Sequence, residues 1–355
     1  MSGRERPFAV GARRIGRGEP VFIVAEAGVN HNGDPALARR LVDAAAEGGA
    51  DAVKFQTFSV DALLTPEAPK AGYQLETTGA SESQREMLAR LELSVDRLAE
   101  LRDRAARHGL VFFSAPFDEA SADALEALGV ALFKVPSGEI TNVPLLRHVA
   151  AKGRPIILST GMTTMEEVEG AVATIRDAGD PPLVLLHCLS AYPAPPGEVN
   201  LRAMDSLAAR FGCPVGFSDH TLGIEIALAA VARGASIVEK HLTLDTSLPG
   251  PDHRASLAPP EFTAMVKAIR AVESALGDGV KRAMPSEIDT RRVARKSLVA
   301  ARPLEAGHRI TATDVRSKRP GTGISPAELP YILGLPLKRD VAADEVIAWE
   351  AFGQP

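Results

Sequence analysis

Short apolar runs alternate along most of the chain with longer stretches in which apolar residues recur every three or four positions. The runs have the length of buried strands, and they lie at residues 21–28, 51–56, 110–116, 131–138, 155–161, 182–188, 214–220 and 235–241. The stretches between them are typical of amphipathic helices, and many end in glycine, a common helix terminator. Eight strands alternating with helices predict an α/β fold with a parallel sheet closed into a (β/α)₈ TIM barrel. An open doubly wound sheet is the main alternative, but no G-x-G-x-x-G motif follows the first strand.

Both ends of the chain depart from this alternation. Two brief runs, FAV and RRI, precede the first barrel strand and predict a hairpin. After residue 280 the chain becomes charged, so residues 1–280 are predicted as the barrel domain and 281–294 as a linker. Residues 295–355 repeat brief strands and turns, which predicts a small, mostly β domain. With so little apolar mass this domain is marginal alone, and we expect it to pack on its own barrel or a partner's.

Composition excludes several classes of protein. The 355 residues carry a net charge of −5, which gives no general electrostatic attraction for nucleic acid. Only two cysteines occur, so no disulfide framework is predicted and a reducing compartment fits. The N-terminal segment has no signal-like apolar region, and no uncharged apolar run reaches membrane-spanning length. We therefore expect a cytoplasmic protein that binds neither nucleic acid nor a membrane.

Each predicted barrel strand ends in polar or ionisable residues. In barrels of this kind the catalytic residues lie at the carboxyl ends of the strands. The strand-end residues are Glu26, Asn30, Lys54, Gln56, Ser114, Lys134, Ser137, Glu139, Ser159, His187, Ser218, Asp219, His220, Glu239, Lys240 and His241. One polar residue after a strand is ordinary, but a full ring of groups suited to acid–base, anion or metal chemistry indicates an active site.

Spacing leaves the chemistry of these groups open. His220 and His241 fall at equivalent positions of consecutive strands. They either bind a first-row divalent metal such as Mn²⁺, Co²⁺ or Zn²⁺, or form hydrogen bonds without one. Lys54 and Lys134 end two further strands, either as anion-binding groups or as a Schiff-base nucleophile. Hydroxyl donors that favour a phosphate or carboxylate ligand come from Ser114, Ser137, Ser159 and Ser218.

Ordered motifs cover almost the whole chain. They read AEAGVNHNGD, AVKFQTF, SQREMLARLELS, FFSAPFD, KVPSGEITNVPLL, ILSTGM, LLHCLSAYPAP, GFSDHT, VEKHLTLD, GPDHRASL and KSLVAA. In these motifs the chain resembles the sialic acid synthase family, enzymes that condense phosphoenolpyruvate with an N-acylated mannosamine-type sugar. The segment ITATDVRSKRPGTGISP is similar to that family's antifreeze-like (SAF) domain. The resemblance implies a TIM barrel followed by a SAF domain.

The resemblance also implies roles for individual residues. Its two metal-binding positions, usually occupied by Mn²⁺, are matched by His220 and His241. Its phosphoenolpyruvate-binding positions are matched by Lys54, Ser137, Ser159 and Ser218, with Lys134 beside them. Its other active-site positions are matched by Glu26, Glu139, Tyr192 and Asp252, and Gln56 is assigned to substrate binding with them. The chain departs from some members at Ala115, which lacks a hydroxyl, and at Ser190, where they have asparagine.

The resemblance implies a specific reaction, but it fits more than one acceptor sugar. The expected product is N-acetylneuraminate, formed with C–O cleavage of phosphoenolpyruvate, and N,N'-diacetyllegionaminate or a related nonulosonate is the alternative. A Schiff-base aldolase that uses Lys54 or Lys134 is the other class of enzyme considered. Arg319, in KRPGTG, matches an arginine that reaches the sugar's N-acyl group from the other subunit. The resemblance therefore implies a domain-swapped homodimer.

Overall fold

The computed structural model describes residues 7–353, which begin with the predicted hairpin. Strands β1 (Phe8–Val10) and β2 (Arg13–Ile15) pair antiparallel, with Val10 opposite Arg13. Val10 and Ile15 are buried against apolar residues inside the barrel, including Phe22 at the start of the first barrel strand. The hairpin therefore contributes apolar side chains to the barrel interior.

Eight strands within the described residues form one parallel sheet, as the apolar runs predict. They are β3 (Phe22–Gly28), β4 (Ala52–Thr57), β5 (Val111–Pro116), β6 (Phe133–Val135), β7 (Ile156–Ser159), β8 (Leu183–Cys188), β9 (Val215–Asp219) and β10 (Ile237–His241). Their order is β5-β4-β3-β10-β9-β8-β7-β6, so the first and last barrel strands are neighbours. In the described chain β5 and β6 lie side by side without a hydrogen-bonded ladder, and the barrel is nearly closed. The predicted TIM-barrel fold is confirmed.

Helices connect the strands on the outside of the barrel. They are α1 (Pro35–Glu47), α2 (Val60–Leu63), α3 (Gly72–Thr78), α4 (Gln84–Ala89), α5 (Val95–Arg107), α6 (Glu119–Leu128), α7 (Val143–Ala151), α8 (Met165–Asp177), α9 (Ala203–Phe211), α10 (Glu225–Ala232) and α11 (Pro259–Leu276). Side-chain caps begin several of them, for example Asp118 before α6 and Thr164 before α8. Gly129 and Gly212, both in the left-handed region, end α6 and α9. Among the described helices, none is long and apolar enough to span a membrane.

The two faces of each barrel strand pack in different places. On β3, Phe22 and Val24 belong to the cluster inside the barrel, whereas Ile23 and Ala25 belong to the main core between strands and helices. This alternation follows from the two-residue period of a strand. Strand residues of the inner set therefore emerge at the barrel mouth when the strand reaches its carboxyl end.

A second compact unit, Asp278–Pro355, follows the first, Met1–Gly277. It contains α12 (Ile288–Ala294), the antiparallel pair β11 (Ser297–Ala300) and β12 (Val315–Lys318), and α13 (Leu329–Ile332). A small apolar cluster of its own, which includes Leu298, Ile310, Val341, Ile347 and Phe352, holds it together. The residues predicted as a linker, 281–294, are partly helical, since they contain α12. No side chain of α12 is buried.

Candidate active site

Side chains alternate between the two faces of a strand, so only some of the ionisable residues at the strand ends lie on the inner face, at the barrel mouth. Glu26 continues the inner set of β3 after Phe22 and Val24. On β10, Ile237 belongs to the inner cluster, so Glu239 and His241 lie on the same face two and four residues later. Both of these carboxyl-end residues are buried. The intervening Lys240 lies on the opposite face of the strand.

A cavity of about 450 Å³ lies at this end of the barrel. The predicted site residues that line it are Glu26, Lys54, Gln56, Lys134, Ser137, Glu139, Ser159, Tyr192, Ser218, His220, His241 and Asp252. Its volume is in the range of ligand pockets for small molecules. The structure therefore brings together predicted residues from strands far apart in sequence.

Two buried lysines and two buried glutamates form the charged floor of this cavity. Lys54 Nζ lies 2.9 Å from Glu26 Oε1 and 3.7 Å from Glu239 Oε2. Lys134 Nζ lies 3.8 Å from Glu239 Oε1, so Glu239 stands between the two ammonium groups. Glu26 Oε2 and Glu239 Oε2 are buried and accept no hydrogen bond from the described residues. The floor thus has ammonium groups that can bind an anionic ligand and carboxylate oxygens that can still accept a hydrogen bond.

Burial and close charges shift the pKa values of these four groups. Burial, with Glu239 nearby and Lys54 opposing, raises the pKa of Glu26 to about 7. Burial disfavours the charged form of Lys54, but the nearby carboxylates of Glu239 and Glu26 outweigh this effect and raise the pKa of Lys54. For Lys134, burial is the largest effect and lowers the pKa. For Glu239, burial acts to raise the pKa, but the charges of Lys134 and Lys54 outweigh it and hold the pKa below its usual value. Glu239 therefore stays charged, and Glu26 is the carboxyl group suited to exchanging a proton near neutral pH.

Serine hydroxyls surround the lysines. Lys134 Nζ donates to Ser159 Oγ at 2.7 Å, and Ser218 Oγ donates to Glu239 Oε1 at 2.9 Å. Ser137 Oγ accepts a 2.8 Å hydrogen bond from the backbone N–H of Gly161. A Cβ atom at Gly161 would fall 2.4 Å from the hydroxyl of Ser190, so only glycine fits here without a shift. These contacts place small donors next to the cationic groups.

The two histidines of the consecutive strands β9 and β10 are close enough to act together. The ring centroids of His220 and His241 are 5.5 Å apart. His220 Nδ1 donates to the Leu189 carbonyl at 2.7 Å, which leaves a lone pair on Nε2. His241 Nδ1 is buried without a hydrogen-bond partner in the described chain. Burial lowers the pKa of His220 to about 4 and also lowers that of His241, so both rings are neutral.

Aromatic rings and a carboxyl group flank the histidines. The Tyr192 ring lies 4.2 Å from the His220 ring and meets the His241 ring edge-on at 5.8 Å. The rings of Tyr73 and Tyr192 are also in contact, with centroids 4.9 Å apart. Asp252 Oδ2 is 4.0 Å from His241 Nδ1, and burial, opposed by Lys54, raises the pKa of Asp252 to about 6. Together these side chains make one side of the cavity aromatic and polar.

The remaining predicted residues have different environments. Gln56 Nε2 donates to Glu26 Oε1 at 3.3 Å, which connects it to the charged floor. Glu139 is only half-buried and accepts from Asn142 Nδ2 at 2.7 Å. Arg319 lies in the second unit, where it is exposed and its Nε donates to the Ala294 carbonyl at 3.0 Å.

Three further histidines, at or after the carboxyl ends of barrel strands, make contacts that serve the fold. His187 Nε2 hydrogen-bonds to the Val199 carbonyl at 2.6 Å. His253 Nδ1 pairs with the Thr243 hydroxyl at 2.6 Å. His31 packs beside Phe55 with ring centroids 6.1 Å apart, and its Nδ1 accepts from the backbone of Gly33. These histidines hold loops in place.

Sequence reasoning assigned no role to two residues of the site. Glu239 is among the strand-end residues of the sequence analysis. It lies two residues before His241, and residues two apart on a strand share a face, which is the signal that places it on the cavity side. Tyr73 lies on α3, in the connection between β4 and α5, and reaches the cavity only through tertiary packing. No local pattern distinguishes it.

Comparisons with known proteins show what this chain is similar to. Residues 41–281 match the model of the NeuB family, and residues 295–352 match that of the SAF domain. The N,N'-diacetyllegionaminic acid synthase of Legionella pneumophila is 47% identical over 96% of this chain and 97% of its own length. The Campylobacter jejuni protein of the same name is 46% identical over 92% and 98%. The crystal structure of N-acetylneuraminic acid synthetase from Leptospira borgpetersenii, in complex with citrate, superposes with a TM-score of 0.71 at 35% identity, covering 81% of this chain and 95% of that one.

Proposed function

The chain belongs to the NeuB family, as its resemblance to the sialic acid synthases predicted, and from that premise we propose the following reaction. The enzyme condenses phosphoenolpyruvate with an N-acylated mannosamine-type sugar to give a nine-carbon 2-keto acid and phosphate. The observation that carries this proposal is the pair of buried lysines, Lys54 and Lys134, which share the carboxylate of Glu239 at the cavity floor.

The relatives favour a different product from the one first expected. The two proteins named N,N'-diacetyllegionaminic acid synthases are 47% and 46% identical to this chain, whereas the N-acetylneuraminic acid synthetase is 35% identical. The expectation of N-acetylneuraminate gives way to the alternative. We therefore propose N,N'-diacetyllegionaminate as the product and a 2,4-diacetamido-6-deoxy mannose-type sugar as the acceptor.

Phosphoenolpyruvate carries a carboxylate and a phosphate, and the floor offers matching groups. The ammonium groups of Lys54 and Lys134 provide charge-assisted hydrogen bonds in a buried setting. Ser137, Ser159 and Ser218 add hydroxyls within the same cavity. Binding both ends of a small anion fixes its reactive carbon relative to the acceptor.

His220 and His241 would hold a divalent metal, for which we propose Mn²⁺. The donor set fits, because both imidazoles are buried and neutral and His241 Nδ1 has no hydrogen-bond partner in the described chain. No group of three or more metal-binding side chains gathers in the described residues, so water or substrate oxygens would complete the coordination. Such a metal supplies Lewis-acid stabilisation of negative charge on the acceptor's aldehyde oxygen.

The bond changes follow from the charges of the two substrates. Carbon 3 of phosphoenolpyruvate forms the new C–C bond with the aldehyde carbon of the open-chain sugar, and positive charge develops at carbon 2. Water adds to carbon 2, and one of its protons neutralises the alkoxide formed from the aldehyde. The C–O bond to phosphate then breaks as the new carbon 2 hydroxyl becomes the keto group and its proton passes to the phosphate. We propose that Glu26 takes a proton from that water, and its raised pKa and its contacts to Lys54 and Gln56 support this role.

The test is a phosphate-release assay with phosphoenolpyruvate, Mn²⁺ and a panel of amino sugars. Phosphoenolpyruvate labelled with ¹⁸O in the bridging position should transfer the label to phosphate, because the C–O bond breaks. A Schiff-base aldolase behaves differently: borohydride with pyruvate would trap an adduct on Lys54 or Lys134, and activity would survive a chelator. Trapping of that kind, or retention of the label in the keto acid, would contradict the proposal.

A further inference from the structure

Two loops meet beside His241 at the carboxyl end of the barrel. β3 and β10 are neighbouring parallel strands, and Glu26 of β3 lies opposite His241 of β10. The chain that follows β3 therefore starts next to the chain that follows β10. We call residues 249–256, which follow β10 and carry Asp252, the Asp252 loop. Asp252 is buried and lines the cavity, so a small shift of this loop would move a carboxyl group of the candidate active site.

Asn30, which follows β3, holds the second half of the Asp252 loop. Asn30 is buried, and its Nδ2 donates to the Leu242 carbonyl and to Ser256 Oγ, both at 2.9 Å. Ser256 Oγ in turn donates to the backbone carbonyl of Asp252 at 2.7 Å. The Asn30 amide group therefore uses both of its hydrogens, and a single hydroxyl group connects it to the backbone of Asp252.

Asn32 holds the first half of the loop. Its Nδ2 donates to the Pro249 carbonyl at 2.8 Å, and its Oδ1 hydrogen-bonds with His253 Nε2 at 3.2 Å. Gly250 lies between these two contacts with a φ of +148°, which residues with a side chain rarely adopt. A Cβ atom at Gly250 would fall 2.8 Å from Asn32 Oδ1, so the loop and the asparagine fit together only because glycine stands there.

The end of the loop is joined to β10 directly. Leu257, the residue after the loop, donates its backbone N–H to the His241 carbonyl at 2.9 Å and accepts from the Thr243 N–H at 3.0 Å. Asp252 Oδ2 is 4.0 Å from His241 Nδ1. Because asparagines hold both halves of the loop and β10 holds its end, the Asp252 carboxyl group has a fixed position relative to the His241 ring.

We propose that Asn30, Asn32 and Ser256 are positioning residues, which hold the Asp252 carboxyl group where it binds a hydroxyl group of the acceptor sugar. This inference rests on the proposed function, since it concerns the acceptor of the same reaction. None of the three is among the residues that line the cavity, so they act through Asp252. A hydroxyl group and a carboxylate form a hydrogen bond at about 2.5–3.0 Å, so a small displacement of Asp252 loses the contact.

The test begins with Ser256→Ala, which removes one hydroxyl group and breaks the connection from Asn30 to Asp252. The full-length enzyme is assayed by phosphate release with phosphoenolpyruvate, Mn²⁺ and the amino sugar that the wild type turns over fastest. We expect the KM of the sugar to rise about tenfold while the KM of phosphoenolpyruvate stays the same. Asn32→Ala, at a half-buried position, should have the same effect, and it decides the matter if Ser256→Ala does not fold.

Ser247→Ala is the matched control, because Ser247 follows the same strand but is exposed and donates to Asp245. A double-mutant cycle then tests whether Ser256 acts through Asp252. In an Asp252→Asn enzyme, Ser256→Ala should have little further effect on kcat/KM for the sugar.

Several results would overturn the inference and leave the proposed function standing. They are effects that add fully in the double variant, an unchanged KM of the sugar in both Ser256→Ala and Asn32→Ala, and an equal rise in the KM of phosphoenolpyruvate or in the Ser247→Ala control. Absence of turnover by the wild type with every sugar of the panel would overturn both the inference and the proposed function.

Discussion

Lys240 and Asp219 form an ion pair that is completely buried, with Nζ 2.8 Å from Oδ2 and neither side chain exposed to solvent. The pair joins the carboxyl ends of β10 and β9 on the outer face of the barrel. Lys240 also donates to the Thr221 carbonyl, and Asp219 Oδ1 accepts from the Thr221 backbone and hydroxyl. The strands that carry His220 and His241 are thus tied together immediately behind the two rings.

Lys240→Met should destabilise the first unit strongly, because it leaves Asp219 buried without a counter-charge. Breaking such a pair costs about 3–5 kcal/mol, and urea unfolding followed by circular dichroism measures it. The double variant Asp219→Asn/Lys240→Met should recover part of the loss. Arg210→Met, which removes an exposed ion pair with Glu169, is the control and should leave the unfolding midpoint nearly unchanged. A Lys240→Met midpoint as high as the control's would show that the pair has no structural role.

Removal of the divalent metal should abolish activity, and Mn²⁺ should restore it. His241→Ala should lose Mn²⁺ binding, measured by electron paramagnetic resonance, while circular dichroism shows an intact barrel. His187→Ala is a suitable comparison, because His187 ends a neighbouring strand but hydrogen-bonds to the Val199 carbonyl. Full activity in protein verified as metal-free would exclude the metal from the reaction.

Lys54→Ala should lower kcat/KM for phosphoenolpyruvate by about tenfold to a hundredfold or more, because a charge-assisted contact to the anion is lost. The substitution also leaves Glu26 and Glu239 without their shared cation, which would repel the incoming anion. Lys267→Ala, on the exposed side of α11, controls for the loss of a lysine. Steady-state kinetics that match the wild type would remove Lys54 from the binding site.

Arg319 should act in the active site of a partner subunit if the enzyme is a domain-swapped homodimer. Arg319→Ala is expected to raise the KM of the sugar much more than that of phosphoenolpyruvate. Mixed dimers of Arg319→Ala and His241→Ala subunits should regain one intact site, detected as recovered activity. Heterodimers that form without any recovery would show that the arginine acts within its own chain or not at all.

Acid should weaken the second unit through Asp314. This buried carboxylate accepts from Arg302 at 2.7 Å, from His308 at 2.8 Å and from the Thr311 backbone at 2.9 Å. Burial alone would raise the pKa of Asp314, but the hydrogen bonds from His308 and Thr311 outweigh it and hold the pKa below its usual value. Such a group stabilises the fold above its unfolded pKa of about 3.9, and the contribution is lost as the pH falls further.

The variant Asp314→Asn should therefore cost about 1–3 kcal/mol at neutral pH and progressively less below pH ~4. Trp349 is the only tryptophan of the chain and packs on the apolar cluster of the second unit, so its fluorescence follows the unfolding of that unit. Asp340→Asn is the comparison, because this aspartate is exposed and accepts one backbone hydrogen bond. A difference between wild type and Asp314→Asn that does not vary with pH would contradict the assignment.

Local sequence patterns determined the barrel and the edge at which its chemistry lies. Apolar runs of strand length, helical spacing between them and glycines such as Gly129 and Gly212 act over a few residues, so they can be recognised without a structure. The two-residue period of a strand also fixes which side of β10 carries Glu239 and His241. The short helices α2 to α4 escaped recognition, because four to seven residues are too few for a helical period to stand out.

Only the tertiary structure decided which of these groups share contacts. Glu26, Lys54, Lys134 and Glu239 come from four strands, and their grouping depends on strand order and stagger around the barrel. The same holds for the apolar cluster of Phe58, Val60 and Leu91, against which Phe117 packs from the connection that follows β5. Pairing of charges and packing of rings are set by distances across the fold, and those distances depend on contacts that no local window of sequence contains.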